Sequence, residues 1–266
     1  MTSPHIKIMT PCHGGWVSTS YAASLLELVV ACQRRGVGLS WDVRDGGTDI
    51  ARAREACVVR FLADAAATHL LFIDADIGFA SEQVFRLLAR NADFTAVTYP
   101  LKKLDWDRIA TTVRRGLGTL TETFSYAVEW EKSGQIVARD DFVRVPYVGI
   151  GFTLIRRSAL IRLVNAYAMR EPGCSTDAQP QDACASGPGL FGGMIEAGTG
   201  MYLSECFALC RRWRDLGGEI WVDIRSRLTH VGPVTFRGDL FAQLQPFAGA
   251  GGTTAGSVER ASPGLE

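Results

Sequence analysis

The sequence predicts an α/β protein: a mostly parallel sheet covered by helices, with an antiparallel addition in the second half. Three observations predict it. In the first hundred residues, short apolar runs alternate with amphipathic stretches in the order βαβαβαβ. No hairpin signal separates those runs, so helical crossovers join their strands and the strands lie parallel. In the second half the pattern changes to alternating or short apolar runs, which suit antiparallel strands.

His5–Thr10 (HIKIMT) has the length and apolar content of a buried strand, closed by Pro11, Gly14 and Gly15. From Ser18 to Arg35 the residues Leu25, Leu28, Val29 and Cys32 recur at helical spacing, and Gly36 stands where a helix stops. Val37–Arg44 reads as the second strand and Gly46–Gly47 as a turn. Asp49–Ala66 is an amphipathic helix with Ile50, Ala53, Cys57, Phe61 and Ala65 on one face. Thr68–Ile73 is a third strand, Ser81 caps a helix carrying Val84, Leu87 and Leu88 inward, and Phe94–Thr98 is a fourth strand. Thr111–Val128 and Gln135–Val148 are expected to supply the antiparallel strands, followed by a helix over Ser158–Met169. Leu203–Leu216 is a further helix and Glu219–Ile224 a strand. Residues 171–200 contain three Pro, seven Gly and two Cys with little periodicity, which marks a functional loop. The tail from Ala248, rich in Gly, Thr, Ser and Ala, cannot bury enough surface to order itself.

The 266 residues suffice for a sizeable core. The 28 basic and 28 acidic side chains cancel, so neither nucleic acid nor an anionic membrane is the expected partner. Seven cysteines without a CxxC pair read as reduced thiols rather than a disulfide framework. The N-terminal residues lack the charged start and apolar run of a signal peptide. No apolar stretch approaches the roughly 20 residues of a membrane span. A cytoplasmic protein without a transmembrane segment is the expectation.

The strongest chemical signal is LLFIDADIGF, residues 70–79. In an open parallel sheet, ligands gather at the carboxyl ends of strands, where Asp74, Ala75 and Asp76 follow an apolar run. If strand geometry persists, the spacing of two points both acids the same way, toward one divalent cation and its diphosphate.

This run resembles the DxD motif of nucleotide-sugar-dependent glycosyltransferases of the GT-A fold, family 2-like, and other segments fall in the order which that superfamily shows. They are IMTPCHGG (8–15), DIARAREACVVRFL (49–62), THLLFIDADIGF (68–79), TYPLKK (98–103), YVGIGFTLIRRS (147–158), YLSECFALCRRWRDLGGEIWVD (202–223) and RLTHVG (227–232). The resemblance implies a single GT-A, Rossmann-like catalytic domain over residues 1–247, with a nucleotide-binding half (1–103), an acceptor-side half (104–247) and a flexible tail (248–266). It also implies a nucleoside-diphosphate sugar donor, a hydroxyl-bearing acceptor and Mn²⁺ or Mg²⁺ as cofactor.

Residue by residue, the resemblance implies that Thr10, Pro11, Cys12 and His13 cradle the nucleoside. Asp74 would face ribose and metal, Ala75 the nucleotide, and Asp76 metal and diphosphate. His230 matches the position of a third metal ligand, which Mn²⁺ accepts better than Mg²⁺ does. Arg54 matches the Arg of an Arg-Asn pair that holds base or diphosphate, with Glu55 in place of Asn; Arg52 is a second cation on the same helix, where a solvated face is the alternative. Lys102 or Lys103 would steady phosphate or sugar hydroxyls.

On the acceptor side, Gly149 and Gly151 flank Ile150 and permit close backbone approach to a sugar, although a strand bulge explains them equally well. The related pattern Ser-Glu-Asp supplies a general base; here it reads Ser204-Glu205-Cys206. Glu205 is then the nearest candidate base. Alternatively it orients its helix, the transfer is retaining, or Glu196 or Asp182 is the base. Cys206 and Cys210 are four apart on one helix and fit a buried stripe.

The leading expectation is metal-dependent transfer of a sugar, a hexose by analogy, to a hydroxyl. Two alternatives stand beside it. One is a sugar-nucleotide nucleotidyltransferase, although PCHGGWVSTS carries no cation for the signature loop; the other is a catalytically degenerate nucleotide-sugar-binding protein.

Overall fold

A computed structural model describes residues 3–45, 49–114, 116, 120–131, 136–167 and 188–248. The Gly46–Gly47 turn, residues 171–187 of the Gly-rich loop with Asp182, and residues 249–266 of the tail lie outside the described residues. The elements are β1 (His5–Cys12), α1 (Thr19–Arg35), β2 (Gly38–Asp45), α2 (Ile50–Ala63), β3 (His69–Ile73), β4 (Ile77–Gly78), α3 (Ser81–Arg90), β5 (Phe94–Val97) and α4 (Trp106–Arg114). A 3₁₀ turn at Leu120–Thr123 leads into β6 (Val128–Glu129), β7 (Ala138–Arg139), β8 (Phe142–Arg144), β9 (Tyr147–Val148), β10 (Phe152–Arg156) and α5 (Arg157–Tyr167). Then come β11 (Met194–Ile195), β12 (Tyr202–Leu203), α6 (Glu205–Asp215), β13 (Trp221–Asp223), β14 (Thr229–Val231), β15 (Thr235–Arg237) and α7 (Leu240–Ala248).

The central sheet has eight strands in the order β2-β1-β3-β10-β5-β13-β8-β7. The pairings β1–β2, β1–β3 and β5–β13 are parallel, while β10 and β8 run against their neighbours. The predicted class, a mostly parallel α/β sheet with antiparallel additions, is therefore the observed one. Side chains alternate across the sheet as the pleat requires. Leu70 and Phe72 enter one apolar cluster with Phe61, Leu163 and Trp213, beneath α2, α5 and α6. Leu71 and Ile73 enter the other with Tyr21, Leu28 and Val84, beneath α1 and α3. Burial on both faces is why these strands read as continuous apolar runs rather than alternating ones.

Helix ends follow local chemistry. The Ser18 side chain accepts a hydrogen bond from the Tyr21 amide to cap α1, and Gly36, at φ 66°, closes that helix in the left-handed conformation. Asp49 caps α2 by accepting from the Ala51 and Arg52 amides.

Three expectations are corrected. Ser81 is the first residue of α3 rather than its cap; Ala80 holds the cap position, and the Gln83 side chain accepts from its amide at 3.0 Å. Of Thr111–Val128 only Val128 belongs to a strand among the described residues: α4 holds its first four residues and the 3₁₀ turn four more, because Trp106, Ile109, Ala110 and Val113 recur at helical rather than alternating spacing. Leu203 belongs to β12, and α6 begins two residues later. Strand order, on which the sequence pattern is silent, places β10 antiparallel between β3 and β5. The apolar run FTLIR, directly after the Gly-Ile-Gly segment, fills that central position, with Phe152 to Ile155 buried.

Candidate functional site

The first and third strands end side by side, and the chain beyond them forms one wall of a cavity of about 720 Å³. That size suits a small ligand of nucleotide dimensions. Pro11, Cys12 and His13 line it from the end of β1, and Asp74, Ala75 and Asp76 line it from the end of β3, with His230 from β14. Seven of the sequence-predicted residues thus share one cavity.

Strand geometry does not persist through the two acids. β3 stops at Ile73, and the Ile77 amide donates to the Asp74 carbonyl at 3.0 Å, closing a turn over residues 74–77. Asp74 and Asp76 therefore leave the chain in different directions and take different partners. The turn is fastened from two sides: the Ser18 amide donates to the Ala75 carbonyl at 2.8 Å, and the Asp74 amide to the Gly151 carbonyl at 2.9 Å. The first bond sets the N-terminus of α1 against the motif, where its partial positive charge favours an anion.

Asp74 meets Arg54. The guanidinium donates from Nη2 to both carboxylate oxygens, at 3.0 and 3.3 Å, and from Nη1 to Cys206 Sγ at 2.7 Å. Glu205 Oε1 lies 3.5 Å from Nη1. Only 4% of the Arg54 side chain is exposed, and Nε has no hydrogen-bond partner among the described residues. Burial disfavours its charge, but Cys206, Asp74, Tyr99 and Glu205 outweigh that cost and raise its pKa. Burial likewise pushes the Cys206 thiol up to about 11, although Arg54 opposes the rise, so this cysteine is a packed thiol and not a nucleophile.

Asp76 meets Lys102 and His230. Lys102 Nζ donates to Asp76 Oδ2, and His230 Nε2 lies 3.5 Å from Oδ1. β14 carries His230 there: it pairs with β4, His230 opposite Ile77, and the Val231 amide donates to the Asp76 carbonyl at 2.9 Å. His230 Nδ1 donates to the Pro100 carbonyl at 2.7 Å. In the neutral ring this fixes the tautomer and turns the Nε2 lone pair toward Asp76, the orientation in which an imidazole accepts a cation. Burial would raise the pKa of Asp76, but the neighbouring His230 and the hydrogen-bonded Lys102 more than offset it and hold the carboxyl below its usual range.

The fit to a divalent metal follows from these contacts. Asp76 and His230 present an oxygen and a nitrogen toward one point, as a metal pair does. Asp74 is turned onto Arg54, and among the described residues no three His, Cys, Asp or Glu side chains converge on a metal position. The protein would thus offer two ligands, a set that fits a divalent ion only where phosphates and water complete it, as in many Mg²⁺ sites.

Other expected site residues lie elsewhere. Thr10 is fully buried, its hydroxyl bonded to Tyr21 Oη, because its side chain points into the layer beneath α1; it does not line the cavity. Arg54 is behind the cavity wall, and Glu205 is the first residue of α6, beyond that guanidinium. Gly149 and Gly151 are explained by packing: a Cβ on Gly149 would meet Tyr99 Oη at 2.7 Å, and one on Gly151 would collide with Asp74 Oδ2 and the Tyr99 ring. Ile150 is a fully buried core residue, so its side chain is not offered to a ligand. Glu196 accepts hydrogen bonds from Tyr147, from Thr199 at 2.7 Å and from Arg211 at 3.3 Å. Bonds from Tyr147 and Thr199 hold its carboxyl below the usual range, which suits an ionised structural acceptor.

Several lining residues went unread in the sequence: Trp16, Val17, Ser18, Ile50, Ala53 and Tyr99. Trp16 had a signal, since a tryptophan in the Gly-rich turn PCHGGWVS has no place in a core. It is 82% exposed at the cavity wall. Glu55, standing where the resemblance implies Asn, accepts the Phe191 amide at 2.6 Å and anchors the segment at 190 to α2.

No helix among the described residues is long and apolar enough to cross a membrane. No family model matches the chain, and no curated protein matches it. Among solved structures, the chain is similar to A197 from STIV at 16% identity, with 86% of each chain covered and a TM-score of 0.44. It is also similar to a glycosyltransferase involved in glycosylation of the major capsid of PBCV-1, at 11% identity, covering 68% of this chain and 74% of that one, with a TM-score of 0.33. A third similar structure, at 9% identity, covers 86% of this chain and 89% of a Bacillus anthracis protein described as a glucose-1-phosphate thymidylyltransferase and solved with a sucrose, with a TM-score of 0.39. Overlap this loose leaves the functional reading to rest on the residues of this chain.

Proposed function

We propose that the protein transfers a sugar from a nucleoside-diphosphate sugar to a hydroxyl acceptor, using Mn²⁺ or Mg²⁺. The observation that supports this reading most is the cavity at the carboxyl ends of β1 and β3, with Asp74-Ala75-Asp76 and His230 in its wall. A bound divalent cation supplies Lewis-acid stabilisation of the charge that develops on the leaving diphosphate. Asp76 Oδ1 and His230 Nε2 are the groups that would hold it. Asp74, oriented by Arg54, closes the floor of the site and would meet the ribose hydroxyls. The N-terminus of α1 faces the same space and favours the diphosphate. Trp16 and the 11–13 segment form the wall against which a base would lie.

A thermal-shift screen of nucleoside-diphosphate sugars with Mn²⁺ tests the reading, since a bound donor stabilises the native state by mass action. A donor present at about 100 times its Kd is expected to add about 2.7 kcal/mol. No shift with any such donor would overturn it. One observation favours a second reading, donor binding without turnover: Glu205, the candidate base, lies 3.5 Å from the Arg54 guanidinium and does not line the cavity. Donor hydrolysis or transfer that requires Mn²⁺ and stops with EDTA would eliminate that alternative.

A further inference from the structure

Each carboxylate oxygen of Asp76 already has a neighbour from its own chain. Lys102 takes Oδ2 while His230 stands 3.5 Å from Oδ1, so an ammonium already sits beside the carboxylate that the proposed function assigns to a divalent cation. This arrangement is built rather than incidental. Pro100, two residues before Lys102, bridges to Tyr126 and binds His230 Nδ1 through its carbonyl, and the Leu101 amide donates to Ser125 O at 2.8 Å. The stem of Lys102 lies over Gly232, where a Cβ would come within 2.9 Å of Cδ. Any other residue at 232 would push the lysine stem aside.

Charge arithmetic then has a consequence. Arg54 is already shared by Asp74 and Glu205, and Lys102 balances Asp76. A divalent ion entering alone would bring two positive charges to a carboxylate whose charge is already met, so repulsion acts to displace Lys102. A diphosphate supplies the anion to which the released ammonium can move. We propose that Lys102 is an exchangeable counter-cation: it holds Asp76 when the site is empty and crosses to the donor diphosphate when metal and diphosphate arrive together. This rests on the reading of the site as a metal and nucleoside-diphosphate site. Metal alone binds weakly, metal and diphosphate bind with positive coupling, and Lys102 is the residue that creates the coupling.

Mn²⁺ binding followed by electron paramagnetic resonance provides the test, with Mn²⁺ alone and with preformed Mn²⁺–pyrophosphate as the two probes. Wild type is expected to bind the preformed complex at least tenfold better than Mn²⁺ alone. Lys102→Met should tighten binding of Mn²⁺ alone by about tenfold and reduce the preference for the complex, and Lys102→Arg, which keeps the charge, should restore the wild-type pattern. Asp76→Asn should abolish binding of Mn²⁺ alone. If Lys102→Met leaves Mn²⁺ affinity unchanged or weaker while Asp76→Asn removes it, the exchange is wrong and the metal site stands. If Asp76→Asn binds Mn²⁺ as wild type does, or no variant binds it, the metal site fails and the exchange with it.

Discussion

Two carboxylates two residues apart, each met by one cation, divide the site into unlike regions. Behind the wall, Arg54 is 4% exposed and joins Asp74, just past β3, to Glu205 and Cys206 at the start of α6. At the wall, Lys102 is 32% exposed and Asp76 37% exposed. The physics of the two pairs differs accordingly. A buried pair is held because removing one partner strands the other charge away from water. A half-exposed pair gains little, since water and salt screen it and the long lysine side chain loses freedom. The inner pair is therefore architecture, fixing the direction of Asp74, and the outer pair is free to exchange partners.

The largest effect follows from the inner pair. Arg54→Met should cost about 3–5 kcal/mol, because it leaves Asp74 and Glu205 without their common cation in a buried setting. Urea denaturation of the variant measures this. A loss below about 1 kcal/mol would mean that the cluster is not structural, and the contrast between the regions would collapse.

The strand that leads to Asp74 begins with a titratable group of the opposite kind. Burial, with the charge of Arg156 as a smaller cause, pulls His69 down to about 4. The folded state therefore keeps the ring neutral while the unfolded chain binds a proton below about 6.5. The unfolded state binds more protons between these values, so this stability is complete above about pH 6.5 and is lost as pH falls toward 4. With allowance for partial exposure, the loss is on the order of 2 kcal/mol. His69→Gln, compared with wild type by denaturation at several pH values across that window, should show a shallower dependence. Equal slopes would assign the acid sensitivity to carboxylates such as Asp76 instead.

Much of the fold could be read before the structure because the local signals agreed with it. Ser18 and Gly36 bracket α1, and continuous apolar runs mark strands buried on both faces. What failed was long-range. Nothing in FTLIR says that it inserts between β3 and β5, since strand order is set by contacts distant in sequence. The site was legible to the same extent. Asp74, Asp76 and His230 were found by type and position, and the cavity gathers them. Their partners were not, because Arg54 reaches Asp74 across 20 residues and Cys206 across 152. Thr10 and Ile150 looked like site residues by position and are core by orientation, which a one-residue difference in strand facing decides.

A smaller effect is expected at Trp16, which faces solvent at the wall and supports no buried contact. Trp16→Ala should leave stability within about 0.5 kcal/mol of wild type. If the indole stacks on the donor base, it should weaken donor binding by about 0.5–1.5 kcal/mol, roughly two- to tenfold. Calorimetric titration with a stabilising donor from the thermal-shift screen measures this. Unchanged affinity would move the base away from the 11–16 turn.

The smallest effect belongs to the outer pair, and it completes the contrast. Lys102→Met should change folding stability by no more than about 1 kcal/mol, because both partners are about one-third exposed. Whatever remains should fade as salt is raised to about 1 M, where the screening length falls to about 3 Å. The Arg54→Met deficit should persist in the same salt, because the cluster excludes the ions that would screen it. Denaturation midpoints of both variants at low and high salt decide the matter in one experiment. A Lys102→Met deficit as large and as salt-resistant as that of Arg54→Met would make Lys102 a structural clamp, and an ammonium so firmly held could not surrender Asp76 to an incoming metal.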